Sequence, residues 1–152
     1  MAVPPAAVVA PRGYHWWAIN QAFPAGEEGA EVDADGDGLS NMIEWLMGSD
    51  PLAGDSGQMP QASRLSAASL GLAGEKSYLG FSARIRKERP GVTLIPEGAA
   101  TLAEFGTPAA AVNVSQAGAP VDDGDFEVFT WYYEVPIDDA AAGFMRLRVV
   151  QE

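Results

Sequence analysis

Residues 144–150 read Phe-Met-Arg-Leu-Arg-Val-Val, a run in which charged and apolar side chains alternate. The alternation places Arg146 and Arg148 on one face of the segment and leaves an apolar set for burial. That set is Phe144, Leu147 and Val149. A period of two residues is typical of a β-strand with one face against a core.

Five further runs of similar length are separated by turn residues, and each has the pattern of a strand. They are residues 64–72, 78–86, 92–95, 110–115 and 126–135. Short strands divided by turns are typical of antiparallel sheets that pack face to face. We therefore predict a mainly β fold, a small antiparallel β-sandwich, in the C-terminal part of the chain.

Upstream of the strands, residues 14–23 have the spacing of a short amphipathic helix. Trp16, Ile19 and Phe23 recur at helical intervals, and Pro24 ends the segment. A stripe of large apolar side chains is more often core than a ligand platform, so we expect these residues to be buried.

A second helix is predicted at residues 41–47, where Gly48 and then the Asp50-Pro51 pair act as stop signals. Its apolar side chains form one stripe for the core. They are Leu39, Met42, Ile43 and Leu46. A connector rich in Gly, Ala, Ser and Pro follows, and we place a boundary near residue 60.

The chain therefore divides into a Pro/Ala-rich arm (1–13), a helix, loop and helix (14–60) and a β-sandwich domain (61–152). The proline spacing in the arm excludes a stable helix and predicts extended backbone. A linker is the favoured interpretation of the arm. The alternative is a docking strand at residues 6–10 that completes a sheet in its own or a neighbouring molecule.

Residues 33–44 read Asp-Ala-Asp-Gly-Asp-Gly-Leu-Ser-Asn-Met-Ile-Glu and fit the calcium-loop pattern D-x-[DN]-x-[DN]-G-x5-E at every fixed position. Calcium takes about six to eight oxygen ligands, so a short loop must curl tightly, and Gly38 permits the turn. The predicted ligands are the carboxylates of Asp33, Asp35 and Asp37, the carbonyl of Leu39, Asn41 directly or through water, and Glu44 in a bidentate contact.

The alternative is an acidic surface loop whose carboxylates are only solvated. Four carboxylates within twelve residues repel one another without a cation, and this favours calcium. Ser40 stands where paired EF-hand loops carry an aliphatic residue, and the chain has no second matching loop. Pro24 also separates the first helix from the loop. We therefore predict a structural ion rather than a calcium-triggered switch.

A second acidic group, residues 122–127, contains an Asp-Gly pair between predicted strands. It matches no complete ligand pattern, so a hairpin turn is the favoured interpretation and a second ion site the alternative. Asp138 and Asp139 are also predicted to lie in a turn.

The run at residues 33–51, DADGDGLSNMIEWLMGSDP, resembles the D-x-D-G-D-G-L-S-N-x-x-E-Y-x-x-G-x-D-P calcium motif of thrombospondin type 3-like and dockerin-like repeats. That motif lies near the C-terminus of large secreted proteins of Verrucomicrobia and Planctomycetes, followed by a β-rich module. Weaker counterparts of the module are residues 78–86, 92–102 and 143–149. The resemblance implies a secreted or cell-surface bacterial module that binds calcium and carries no catalytic residues.

The formal net charge of −12 argues against binding to nucleic acid or anionic membranes and attracts cations. Cysteine is absent, which excludes disulfides, thiolate metal sites and thiol nucleophiles. Residues 1–11 lack the basic segment and the long apolar run of a signal peptide or membrane span. His15 is the single histidine, and no catalytic set can be assembled around it, so we do not expect an enzyme.

These observations favour a calcium-stabilised extracellular structural or assembly module, which self-associates through its N-terminal arm or its sheet edges as a homo-oligomer or filament. The alternative is a carbohydrate- or protein-binding accessory module of a larger secreted protein. Its ligand would contact aromatic residues of one strand, Trp131, Tyr132 and Tyr133, although core packing explains more of them.

Overall fold

The computed structural model describes residues 13–54 and 59–152. Most of the predicted arm and part of the predicted connector lie outside the described residues, so the docking strand at residues 6–10 stays a prediction. Within the described part the fold is mainly β, with two antiparallel sheets and a few short helices. This agrees with the predicted β-sandwich.

The larger sheet has five strands in the order β1-β2-β6-β4, and β5 also pairs with β6. The smaller sheet pairs β3 with β7. The strands are β1 Gln61–Ser66, β2 Ser77–Arg86, β3 Val92–Ala99, β4 Val114–Gln116, β5 Val121–Asp123, β6 Phe126–Tyr133 and β7 Phe144–Gln151. In the registers, Ala83 lies opposite Phe129 and Leu94 opposite Val149.

One hydrophobic cluster contains side chains from the helical segment and from the larger sheet. Its buried members are Tyr14, Ala18, Met42, Trp45, Leu46, Ala83, Ile85 and Trp131. The smaller sheet packs Leu94, Leu147 and Val149 against this cluster. Removal of this apolar surface from water stabilises the helical segment and the strands together.

Helix α2, Asn41–Met47, has the predicted bounds, and Gly48 follows it with a φ of 82°. A positive φ at the residue after a helix is favourable for glycine, which explains the stop. Met42 and Leu46 are buried as predicted, but the stripe omitted Trp45, which is 1% exposed. Ile43 is only partly buried.

Helix α1 is shorter than predicted, Tyr14–Ile19, and the predicted stripe was wrong at Trp16 and Ile19, whereas Phe23 packs against the core. Trp16 is 44% exposed and Ile19 is 67% exposed, whereas Tyr14 and Ala18 are buried. The Tyr14 hydroxyl donates a hydrogen bond to the carbonyl of Glu28 at 2.8 Å, and the Tyr14 ring lies edge-on to Trp45. These contacts turn the Tyr14 face of the helix towards the core.

The strand predicted at residues 110–115 was also wrong in its first half. Residues Pro108–Val112 form helix α3, and only Val114–Gln116 forms a strand, β4. Proline is favourable at the first position of a helix, and the alanines that follow have high helix propensity. The strand predicted at 64–72 ends at Ser66, and a 3₁₀ turn, Ala68–Leu70, follows.

Strand β3 continues beyond the predicted residue 95 through Pro96 to Ala99. Pro96 lies opposite Leu147 of β7, on a strand at the edge of the smaller sheet, where a proline is tolerated.

The predicted Arg-x-Arg face of β7 is confirmed, because Arg146 and Arg148 both bind one carboxylate. The placement of Phe144 with Leu147 and Val149 was wrong, because Phe144 lies two residues before Arg146 on the arginine face and is 37% exposed.

That carboxylate belongs to Glu97 of β3, which is buried with 0% exposure. Arg146 Nε donates to Glu97 Oε2 at 2.6 Å, Arg148 Nε to Glu97 Oε1 at 3.3 Å, and the Gly106 amide to Oε1 at 3.2 Å. Burial acts to raise the pKa of Glu97, but these partners outweigh it and hold the pKa below its ordinary value. The two strands of the smaller sheet are therefore linked by ion pairs between Glu97 of β3 and two arginines of β7.

Candidate metal centre

The acidic loop is curled by hydrogen bonds from its own backbone to its first aspartate. Asp33 Oδ1 accepts from the Gly36 amide at 2.8 Å, and Asp33 Oδ2 accepts from the Gly38 amide at 2.9 Å. Gly36 and Gly38 have φ values of 75° and 95°, which glycine adopts without the strain of a side chain. The Gly38 amide contributes most to holding the pKa of Asp33 below its usual range.

The next two aspartates each accept a backbone hydrogen bond through one oxygen. Asp35 Oδ1 accepts from the Asp37 amide at 3.2 Å, and Asp37 Oδ1 accepts from the Leu39 amide at 2.9 Å. The second oxygens, Asp35 Oδ2 and Asp37 Oδ2, are buried and receive no hydrogen bond within residues 13–54 or 59–152. Each aspartate thus keeps one acceptor available for a cation.

The three aspartates converge. One carboxylate oxygen each of Asp33, Asp35 and Asp37 lies within 4.8 Å of the others. Like charges at this distance disfavour ionisation, and burial together with Asp37 and Asp33 raises the pKa of Asp35. A divalent cation among these oxygens would relieve the repulsion.

Glu44 is the most unusual acidic residue near the loop. It lies in the middle of α2 with 0% exposure, and neither carboxylate oxygen has a hydrogen-bond partner among the described residues. Burial, and after it repulsion from Asp35, Asp37 and Asp33, raises the pKa of Glu44 to about 8. Unpaired carboxylates are rarely buried, because loss of hydration disfavours the charge. Glu44 lies outside the 4.8 Å aspartate cluster.

Asn41 is also fully buried, and its amide group is fixed in orientation. Its Nδ2 donates to the carbonyls of Glu27 at 2.7 Å and Gly29 at 2.9 Å. Its Oδ1 is buried, with no donor in the described part of the chain. Asn41 therefore presents an oxygen acceptor beside the loop, at the position predicted for a direct or water-mediated ligand.

Two residues beyond α2 belong to the same neighbourhood and were missed by the sequence analysis. Ser49 Oγ is buried and has no partner among the residues described. Asp50 contributes to the raised pKa of Glu44, and its Oδ1 accepts from the Leu52 amide at 2.9 Å. The Gly-Ser-Asp-Pro sequence after the helix was interpreted only as a stop signal, although the chain soon after it approaches the loop, where a Cβ at Gly54 would lie 3.9 Å from Asp37 Cβ.

The second acidic group is a hairpin turn, as favoured. Asp122 and Asp123 belong to β5, and Gly124, with a φ of 67°, begins the turn into β6. Lys87 forms an ion pair with Asp122, and Arg84 pairs with Asp123 at 2.6 Å. Protein cations therefore already neutralise two of these carboxylates.

The aromatic strand β6 places most of its large side chains inside. Trp131 is 4% exposed and Tyr133 is 5% exposed, and Trp131 stacks on Phe129 with ring centroids 5.2 Å apart. Tyr132 lies on the opposite face, edge-on to Tyr78 at 5.6 Å. Core packing accounts for Trp131 and Tyr133.

No protein-family model, curated protein or solved structure matches the chain. None of the described helices is both long enough and apolar enough to cross a lipid bilayer.

Proposed function

We propose that the chain binds one Ca²⁺ ion in the loop at residues 33–44 and that this ion is structural. The observation that carries the proposal is the burial of Glu44 near three converging aspartates, with no hydrogen-bond donor to either of its oxygens among the described residues. A buried carboxylate without a partner is costly in free energy unless a cation or a proton neutralises it.

The donor set favours calcium among common ions. The predicted ligand atoms are all oxygens, which suit hard cations. They belong to the side chains of Asp33, Asp35, Asp37, Asn41 and Glu44 and to the carbonyl of Leu39. Calcium accepts about six to eight oxygens in a flexible arrangement, whereas magnesium requires near-octahedral geometry and retains water. Closure of Glu44 onto the cluster as a bidentate ligand would complete the calcium arrangement.

A structural role follows from the elements that the site joins. The loop leads directly into α2, whose Trp45 and Leu46 lie in the core beside Ile85 of β2. An ion held by Glu44 would fasten the loop to the helix and the helix to the sheet.

A single loop of this kind binds calcium with a dissociation constant of about micromolar to millimolar, which suits extracellular calcium. We therefore propose a secreted or cell-surface bacterial module.

Self-association is part of this proposal, through the edges of the smaller sheet. That sheet has two strands, so β3 and β7 each have one edge that no described strand pairs. Unpaired edges are templates for strand addition. Light scattering of the calcium-loaded protein should detect oligomers or filaments, and a strict monomer at high concentration would contradict this part.

The alternative proposal, an accessory module that binds a carbohydrate or protein, has a different candidate surface. A groove of about 260 Å³ is lined mainly by apolar side chains, among them Leu79, Val135 and Ile137. Such a lining suits an apolar peptide side chain better than a sugar. Absence of binding in peptide and glycan screens would remove this alternative.

Calorimetric titration tests the calcium proposal. We expect one calcium ion per chain and weaker binding of magnesium. Asp35→Asn should weaken calcium binding, because it removes a charge from the cluster. Asp122→Asn is the matched control in the hairpin turn and should leave binding unchanged. Absence of calcium binding to the wild-type chain at calcium concentrations far above millimolar would exclude the site.

A further inference from the structure

Strand β2 contacts different elements along its two halves. Strand β1 pairs with residues 77–82 of β2 and goes no further. Beyond this point Ala83 and Ile85 lie in the cluster that contains Trp45 and Leu46 of α2. The helix that carries Glu44 therefore packs against the part of β2 that β1 does not pair.

Two arginines of this part of β2 bind the C-terminal carbonyls of α2. Arg86 Nε donates to the carbonyl of Trp45 at 2.9 Å, and Arg84 Nη1 donates to the carbonyl of Met47 at 3.1 Å. Carbonyls in the last turn of a helix lack partners within the helix, and positive charge at this end is favourable.

Aromatic rings contact both guanidinium groups, and a carboxylate also pairs with that of Arg84. The Arg84 guanidinium carbon lies 3.6 Å from the centre of the Phe126 ring, and that of Arg86 lies 4.7 Å from the same ring. Arg86 also lies 5.5 Å from the Trp45 ring, and Arg84 pairs with Asp123. These cation–π contacts restrict the arginine side chains, so their hydrogen bonds help to set the position of α2.

We propose that Arg84 and Arg86 are positioning residues for the cation site, holding α2 so that Glu44 can bind the ion and coupling ion binding to the larger sheet. This inference rests on the calcium function proposed above. Trp45 directly follows Glu44, so the Arg86 hydrogen bond acts one residue from a ligand. Groups that orient metal ligands from outside the coordination sphere contribute about 10- to 100-fold to metal affinity.

Arg86→Met tests the proposal, because methionine keeps apolar bulk but removes the donor and the charge. Calcium titration at a temperature where circular dichroism shows a folded protein should give an affinity about 10- to 100-fold weaker than wild type. Arg86→Lys, which keeps the positive charge, should recover part of the loss. Arg84→Met provides a second test if Arg86→Met does not fold.

Arg146→Met is the matched control. Arg146 also stacks on a ring, Phe105 at 4.7 Å, and also donates a 2.6 Å hydrogen bond, but its partner is Glu97 of the smaller sheet. This variant should be destabilised and yet bind calcium within about twofold of wild type, because the Arg146 hydrogen bond goes to Glu97 and not to a carbonyl of α2. Equal loss of affinity in the Arg86 and Arg146 variants would overturn the proposal, because the effect would then be one of general stability.

Hydrogen exchange provides an independent measure of the coupling. Calcium should slow the exchange of amides in β2 and β6 of the wild-type protein, and this protection should be reduced in Arg86→Met. If the wild type binds calcium but these amides do not respond, the coupling is absent while the calcium function stands. If calorimetry detects no binding to the wild type, the calcium function itself fails.

Discussion

Replacement of Gly48 by alanine is expected to lower the free energy of unfolding by about 2 to 5 kcal/mol. A Cβ atom at this position would lie 2.5 Å from Arg84 Nη1 and 2.5 Å from Phe126 Cζ, closer than real contacts allow. The φ of 82° adds strain of roughly 1 to 2 kcal/mol for any side chain, and the forced displacement adds about 1 to 3 kcal/mol. The substitution therefore disturbs the arginine contacts that hold α2.

Gly71→Ala is the matched control for the backbone part of this effect. Gly71 has a φ of 71° and likewise follows a short helical turn, but a Cβ there would meet nothing within 4 Å. Denaturant unfolding should show a loss of only about 1 kcal/mol for this variant. Equal losses at Gly48 and Gly71 would show that the close approach of Arg84 and Phe126 to the helix end is unimportant.

Glu44→Gln is expected to be more stable than wild type in chelator but less stable than wild type in calcium. With chelator present the variant should unfold at a higher temperature than wild type, because glutamine is neutral without the proton that Glu44 must take up from water on folding. Calcium at a hundredfold excess over its dissociation constant should stabilise the wild type by about 2.7 kcal/mol, or roughly 5 to 11 °C in Tm. The variant should lose most of this response, because it lacks the bidentate ligand.

The pH dependence of the calcium-free protein has a defined sign. The pKa of Glu44 is about 8 in the folded protein, against an ordinary value of 4.5, so the folded state binds the proton more tightly. Tighter proton binding by Glu44 in the folded state contributes fully to the free energy of unfolding below pH 4.5. This contribution falls as the pH rises towards 8, and above pH 8 it no longer changes. The advantage of Glu44→Gln over wild type in chelator should grow across this window.

An exposed acid gives the control for Glu44. Glu31 is solvent-exposed and close to the loop in sequence, so Glu31→Gln makes the same chemical change outside the site. Thermal unfolding should show the calcium response of Glu31→Gln close to that of wild type. If Glu44→Gln retains the full calcium response, Glu44 is not a ligand.

The parts of the fold that the sequence predicted well depend on strong local signals. The bounds of α2 follow from the stripe of Met42 and Leu46 and from Gly48, whose positive φ ends the helix. The strand at residues 144–150 follows from its alternation, and its Arg-x-Arg face binds Glu97 in the structure. In both cases the residues that set the element lie within the element itself.

The errors fall where distant contacts decide the outcome. The orientation of α1 depends on the hydroxyl of Tyr14 meeting the carbonyl of Glu28 and on the ring of Trp45, neither of which spacing can reveal. At residues 110–115 the prediction weighed strand pattern above the proline and alanines that begin α3.

In the candidate site, too, the features set by local sequence were predicted and those set by distant contacts were not. The motif names the loop acids from spacing alone, and Asp33, Asp35 and Asp37 do converge. The roles of Arg84 and Arg86 are invisible in the sequence, because these residues lie about forty positions from the carbonyls that they bind. These hydrogen bonds are seen only in the packing of α2 against β2.

A crystal structure determined in ample calcium tests the central claim most directly. We expect one ion inside the loop, with oxygens of Asp33, Asp35, Asp37, Leu39 and Glu44 at about 2.3 to 2.6 Å and Asn41 bound directly or through water. Density for water alone among these side chains, at calcium concentrations far above millimolar, would contradict it.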